Sequence, residues 1–213
     1  MLIKLENVTK IIRGKTVLSE INVELTSGKV FGFVGSNGSG KTMLFRAVSG
    51  LIRPTDGKIT VDGKIMGKDI KLLPSLGMIL ENADLYSGMT GMENLKTLAA
   101  INKKISGDEI KEAIEKVGLD PDDNKKYKKY SLGMKQRLKL AQAFMEKPEV
   151  LILDEPTNGL DENGVEIFRN IVLDEKKRGA LIMLSSHNRA DIDILCDEVF
   201  LMFDGKLRKE VQL

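Results

Sequence analysis

Cysteine and histidine are almost missing from this sequence: Cys196 and His187 are the only ones among 213 residues. A single cysteine excludes an intrachain disulfide, and a reducing compartment fits best. One of each also excludes a Cys/His zinc site within the chain. Cys196 closes the run Ile192-Asp193-Ile194-Leu195-Cys196, where it reads as a small core filler. Long hydrophobic runs are missing too. A membrane-spanning helix needs about 20 mostly apolar residues, and uncharged stretches such as Val199-Phe200-Leu201-Met202-Phe203 are far shorter. Lys4 and Glu6 stand where a signal peptide would have its apolar stretch. The expectation is a soluble, cytoplasmic chain that reaches a membrane only through a partner. An excess of one charge is the third absence. Basic residues number 33 and acidic residues 31, for a net charge of +2. Global charge therefore gives no case for nucleic-acid binding.

What is present is an ordinary globular composition, 42% hydrophobic and 30% charged, with enough length for a sizeable core. Residues 2–5 and 17–25 alternate apolar and polar, as half-buried strands do. Val30-Phe31-Gly32-Phe33-Val34 is nearly all apolar, which fits a strand covered on both faces. Residues 58–61 followed by Asp62-Gly63 read as a strand and hairpin turn. Capping boxes at Thr90/Glu93 and Ser106/Glu109 open two helices, the second ending at Gly118. Strand–helix alternation returns from Val150 onward, with a helix at 164–177 and strands at 180–184 and 199–203. This pattern implies a parallel, doubly wound sheet, with the helical middle inserted into an α/β core.

Gly35-Ser36-Asn37-Gly38-Ser39-Gly40-Lys41-Thr42 matches the phosphate-loop pattern in full, between a buried strand and a helix that starts near Met43. Its glycines let backbone amides wrap phosphate oxygens, and the helix N-terminus adds positive potential. Lys41 is suited to the β- and γ-phosphates, and the Thr42 hydroxyl to Mg²⁺. A second site is Val150-Leu151-Ile152-Leu153-Asp154-Glu155, an apolar strand ending in two acids. Parallel sheets present ligands at strand C-termini, so Asp154 can face the metal and Glu155 can polarise an attacking water.

Tyr130-Ser131-Leu132-Gly133-Met134-Lys135-Gln136-Arg137 resembles the signature motif of ABC ATPases. Pro156-Thr157-Asn158-Gly159-Leu160-Asp161 is similar to that family's D-loop, and Ser185-Ser186-His187 to its switch histidine. The resemblance spans nearly the whole chain in order and spacing. It implies one ABC ATPase domain over 1–213: an antiparallel β subdomain and phosphate-loop core at 1–81 and 138–213, and a helical signature subdomain at 82–137. It implies ATP and Mg²⁺ as ligands, with Met43 counted among the nucleotide contacts. It implies a second ATPase subunit, identical or not, docked head to tail. Ser131 and Gly133 of one subunit would complete the phosphate site of the other. His187 and Lys41 would act beside Glu155 in hydrolysis, and Asp161 would link the two sites. The implied partner is an integral membrane subunit, and no nucleic acid is expected.

The chain departs from the family pattern in three places. Glu81 stands where the family has Gln, so it is a candidate metal ligand that adds negative charge. Leu132 and Met134 replace Gly and Gln in the signature. The segment Lys10-Ile11-Ile12-Arg13-Gly14 lacks the aromatic on which adenine stacks, leaving Ile12 or the Arg13 guanidinium to cover the base. Losing the stack would cost on the order of 1 kcal/mol and weaken base selectivity. The motif form resembles exporter ATPases for antimicrobial peptides and drugs; a soluble ABC-type ATPase acting on a nucleic-acid or ribosomal partner is the alternative reading. The basic run Asn124-Lys125-Lys126-Tyr127-Lys128-Lys129-Tyr130 reads as a solvated loop. Residues 81–93 are expected to line the groove that receives the membrane subunit.

Overall fold

The computed structural model describes residues 1–80 and 84–210. Two sheets organise them. Strands β1 (Leu2–Ile12) and β2 (Lys15–Thr26) form a long antiparallel pair, extended by β4 (Asp56–Val61) and β5 (Lys64–Ile65) in the order β2-β1-β4-β5. The second sheet runs β10-β9-β3-β8-β7-β6. It comprises β3 (Val30–Val34), β6 (Leu76–Ile79), β7 (Val150–Asp154), β8 (Leu181–Ser185), β9 (Glu198–Phe203) and β10 (Lys206–Lys209). All its neighbours pair in parallel except β10, which returns antiparallel along β9.

The apolar strands at the centre of this sheet are apolar because both faces are covered. Phe31, Phe33, Val150, Ile152, Leu181 and Met183 point into a core shared with the antiparallel sheet and helix α1 (Lys41–Ser49). Val30, Leu151, Leu153, Ile182 and Leu184 point the other way, into a core shared with the remaining helices. Those helices are α2 (Gly91–Asn102), α3 (Gly107–Lys116), α4 (Leu132–Phe144), α5 (Glu162–Lys177) and α6 (Arg189–Leu195). Each buried Val, Leu, Ile or Phe contributes about 1.5–3 kcal/mol. The two-sided layering therefore fixes where the strand C-termini, and the loops leaving them, must lie.

Both expected capping boxes form, with side chain and backbone bonded reciprocally at Thr90/Glu93 and Ser106/Glu109. The hairpin turn at Asp62-Gly63 joins β4 to β5, with both residues at positive φ. Helix α5 starts two residues earlier than its hydrophobic stripe suggested, because Asp161 caps it by accepting from Gly164 N. Helix α4 runs without interruption through 137–138, the junction expected between the helical segment and the core.

The basic run before α4 departs from its expectation as a solvated loop. Tyr127 and Tyr130 are buried, and Tyr127 opens a short 3₁₀ turn, Tyr127–Lys129. The lysines stay at the surface while the rings pack into the helical core. On a 3₁₀ turn residues three apart share one face, so Tyr127 and Tyr130 fall together inside while the lysines stay outside. No helix among the described residues is long and apolar enough to cross a membrane.

Candidate active site

The loop after β3 closes on itself before α1 begins. Gly35 lies so near β9 that an added Cβ would sit 2.2 Å from the Met202 carbonyl oxygen, which excludes any side chain there. The Lys41 ammonium folds back to donate to the Gly35 and Ser36 carbonyls at 2.7 and 3.2 Å. Thr42, next on α1, donates its hydroxyl proton to Asp154 Oδ2 at 2.6 Å. Asp154 ends β7 and is held from the far side by the Ser185 hydroxyl, which donates to Oδ1 at 2.7 Å. The registers of β3, β8 and β7 bring these three loop starts side by side.

Glu155 turns off the end of β7 at φ 50°, a left-handed conformation that a glutamate adopts only under constraint. Its amide donates to the Ser185 hydroxyl and carbonyl oxygens at 3.0 and 3.2 Å. The carboxylate is buried. Oε2 accepts from His187 N at 3.2 Å, while Oε1 has no hydrogen-bond partner among the described residues. The His187 ring nitrogen Nε2 sits 3.4 Å from Oε1 but is bonded instead to Asn37 Oδ1 at 3.0 Å. Burial lifts the Glu155 carboxyl above its ordinary range, against the opposing influence of His187, its amide and Lys41. A buried, elevated carboxylate with one free acceptor is suited to hold a water and take its proton.

Lys41, Thr42, Met43, Asp154, Glu155 and His187 line one cavity of about 530 Å³ with Asn37, Gly38 and Gly40. Ser131 and Gly133 lie elsewhere. Ser131 caps α4 by accepting from Met134 N, and it opens with Gly133 onto a separate cleft of about 320 Å³. The two clefts share no lining residue. Leu132 is 68% exposed and lies across Gly159, where an added Cβ would meet it at 2.6 Å. Gln136 donates to the Pro156 carbonyl at 2.8 Å and Arg137 to Asp161 Oδ1 at 2.6 Å, so α4 is stitched to the loop at 156–161.

Ile12 does not reach the cavity. It ends β1, pairs with Lys15 across the Arg13-Gly14 turn, and is not among the residues lining the cavity. Val17 supplies the apolar wall instead, because β2 passes directly over the loop and its Val17 carbonyl crowds Gly40. The sequence signal for Val17 is its alternation with the buried Leu18, which puts it on the opposite face of β2. Ser185, which braces both acids, and Asn158 on the cavity wall stood in the sequence only as members of the switch and D-loop motifs, with no role of their own. Glu81 lies outside the described residues. The oxygen pair of Thr42 and Asp154 suits a hard cation such as Mg²⁺, which takes one or two protein oxygens and completes its shell with phosphate and water.

A family model described as ABC transporter matches residues 18–158. The ABC transporter ATP-binding protein YybJ of Bacillus subtilis is 48% identical over 206 residues, covering 97% of this chain and 94% of that protein. The bacitracin transport ATP-binding protein BcrA of Enterococcus faecalis is 39% identical over 213 residues, covering 99% of this chain and 69% of its own length. Among solved structures, the ATP-binding subunit of an ABC transporter superposes with a TM-score of 0.87 at 26% identity, covering 99% of this chain and 90% of the other. A bacterial ABC transporter cassette solved as a dimer gives 0.87 at 22% identity, covering 98% and 97%, and shares the fold. This chain is a member of the ABC transporter ATP-binding family, with that family's α/β phosphate-loop core, antiparallel β subdomain and helical insertion.

Proposed function

We propose that this chain hydrolyses ATP with Mg²⁺ in a site completed by a second ATPase subunit, and that the cycle drives export by a membrane partner. The observation that carries the hydrolytic reading is Glu155: a buried carboxylate whose Oε1 has no hydrogen-bond partner among the described residues while Oε2 accepts from His187 N. In this reading the loop amides and Lys41 hold the β- and γ-phosphates. Thr42 and Asp154 hold Mg²⁺, which neutralises phosphate charge when bound. Glu155 orients the attacking water and accepts its proton. His187 steadies that carboxylate and contacts the γ-phosphate. Ser131 and Gly133 act on the partner's nucleotide, which accords with their distance from this chain's own cavity.

Export of a peptide-like or drug-like compound is favoured by similarity to the bacitracin transport ATPase and to the lantibiotic transport ATP-binding protein SrtF of Streptococcus pyogenes. The membrane subunit would hold the chain at the cytoplasmic face. A cleft of about 360 Å³, lined by Leu76, Met78, Leu80, Leu85 and Leu98 with Asp84, Lys139 and Gln142 among them, suits an amphipathic helix of that subunit. Glu155→Gln tests the hydrolytic reading. It keeps the shape and loses the base, so ATP binding persists, turnover falls by about 10² or more, and an ATP-bound dimer accumulates in size-exclusion chromatography. Near-normal turnover in this variant refutes Glu155 as the base.

A further inference from the structure

Asp191 brings a carboxylate into the interior at α6 with no exposure at all. Its two oxygens face different elements. Oδ1 accepts from Arg169 of α5, from Nε at 2.8 Å and from Nη2 at 2.6 Å. Oδ2 faces the Thr157 hydroxyl at 3.3 Å and the Ser186 hydroxyl at 3.4 Å. Thr157 stands two residues after Glu155, and Ser186 immediately precedes His187. Ser186 Oγ also accepts from Asn188 N at 3.0 Å, which fixes the other flank of His187.

An ion pair through Oδ1 offsets only part of the cost of burying Asp191, and Oδ2 needs partners of its own. The second oxygen is what distinguishes this site. It bridges the two loops that carry Glu155 and His187, behind the contact those residues make in front, where His187 N donates to Glu155 Oε2 at 3.2 Å. The result is a closed ring through Glu155, His187, Ser186, Asp191 and Thr157. Glu155 needs such bracing because its left-handed backbone is held by its surroundings. The phosphate loop meets the ring at one point, Asn37 Oδ1 at 3.0 Å from His187 Nε2, while Lys41 and Thr42 bond to Gly35, Ser36 and Asp154.

We infer that Asp191 is a positioning residue for hydrolysis, setting the distance between Glu155 and His187 from behind. The inference rests on the roles proposed above for those two residues. Misplacing a reacting group by about 1 Å costs on the order of a hundredfold in rate. Loss of the ring therefore acts on kcat and spares nucleotide affinity.

The test measures kcat, KM and ATP Kd for the purified chain and for Asp191→Asn, Asp191→Glu, Thr157→Val and Glu155→Gln, with thermal melts of each. Asp191→Asn is expected to lower kcat about ten- to a hundredfold while Kd stays within roughly twofold, and Asp191→Glu to recover part of the loss. Thr157→Val buries no unpaired charge, so it carries the test if Asp191→Asn fails to fold; kcat falls several-fold at unchanged Kd. Asp191→Asn combined with Thr157→Val is expected to be no slower than Asp191→Asn alone. Normal kcat in Thr157→Val, or a parallel loss of kcat and Kd in a folded Asp191→Asn, overturns the inference. Wild-type turnover that Glu155→Gln abolishes and Thr157→Val retains overturns it alone. A wild-type chain with no turnover overturns it together with the roles of Glu155 and His187.

Discussion

Thr42 and Asp154, 112 residues apart, are joined by a hydrogen bond of 2.6 Å from the Thr42 hydroxyl to Asp154 Oδ2. The bond brings a hydroxyl on the first turn of α1 against a carboxylate at the end of β7. Both oxygens then face the cavity beside Lys41. Thr42→Val keeps the side-chain shape and removes the oxygen. A hydrogen bond to a charged group is worth about 1.5–3 kcal/mol, or roughly ten- to a hundredfold in affinity. Calorimetric titration with ATP should show that loss in the presence of Mg²⁺ and little change in excess EDTA. Equal losses under both conditions count against Thr42 as a metal ligand.

His187 contacts the loop on one side and Glu155, the proposed base, on the other, with Nε2 3.0 Å from Asn37 Oδ1 and 3.4 Å from Glu155 Oε1. Removing one preorganised polar group at a developing charge costs about 10²–10³ in kcat. His187→Ala should show that loss with KM altered only a few-fold, since the loop amides and Lys41 remain. A variant that raises KM while keeping kcat would assign His187 to ground-state binding.

The parts of this fold that were legible in the sequence were those dictated locally. The strand at β3 is apolar throughout because both faces are covered, and Thr90 and Ser106 carry their capping partners three residues on. Phosphate-loop spacing is likewise local. Contacts between distant segments left weaker traces. Tyr127 and Tyr130 sit among lysines, and nothing in that run says that the rings turn inward. Ile12 ends β1 at the Arg13-Gly14 turn and is not among the residues lining the cavity, whereas Val17 on the paired strand is. Asp191 carries no local mark in the sequence, since its partner Arg169 lies 22 residues before it.

The wall over the base end of the cavity can be tested through Val17 and Ile12. Val17 lines the cavity and Ile12 does not. An aromatic placed on the wall adds about 0.5–1.5 kcal/mol of stacking, or roughly two- to tenfold in affinity. Val17→Tyr is therefore expected to tighten ATP binding by that factor, and Ile12→Tyr to leave it unchanged. Wild-type Kd values for ATP and GTP should lie within a few-fold of each other. Tighter binding by the Ile12 variant alone would show that the end of β1 closes over the base.

Leu132 presents a large apolar side chain at the mouth of the signature cleft, 68% exposed and resting on Gly159. Placed where the second subunit is proposed to dock, it would be buried only in the dimer. Leu132→Asp in the Glu155→Gln background should abolish the ATP-dependent dimer in sedimentation velocity. An unpaired carboxylate in an interface is costly, whereas on the free chain it is solvated. The melting temperature should therefore change little. An intact dimer in this double variant would remove Leu132 from the interface.

Tyr127 ties the turn before α4 to Asp84 through a hydrogen bond from its hydroxyl to Asp84 Oδ1. Burial, then the bond and charge of Asp84, push the phenol above its ordinary range. Burial would raise the Asp84 carboxyl, but the Tyr127 bond and the Lys139 charge outweigh it and bring it below the usual value of 3.8. The two shifts give opposite pH limits. A carboxyl lowered on folding stabilises fully above its unfolded pKa and loses that contribution as pH falls through the folded value. A phenol raised on folding stabilises fully below its unfolded pKa of 10.0 and loses that contribution as pH rises further. Tyr127→Phe keeps the ring packed and deletes the bond. Because Asp84 is half exposed, the expected loss is about 1 kcal/mol. Urea denaturation should show that difference at pH 7 and a narrowing gap below about pH 4 and above about pH 10. A gap that stays constant across the whole range would mean that the hydroxyl and Asp84 do not interact in the folded chain.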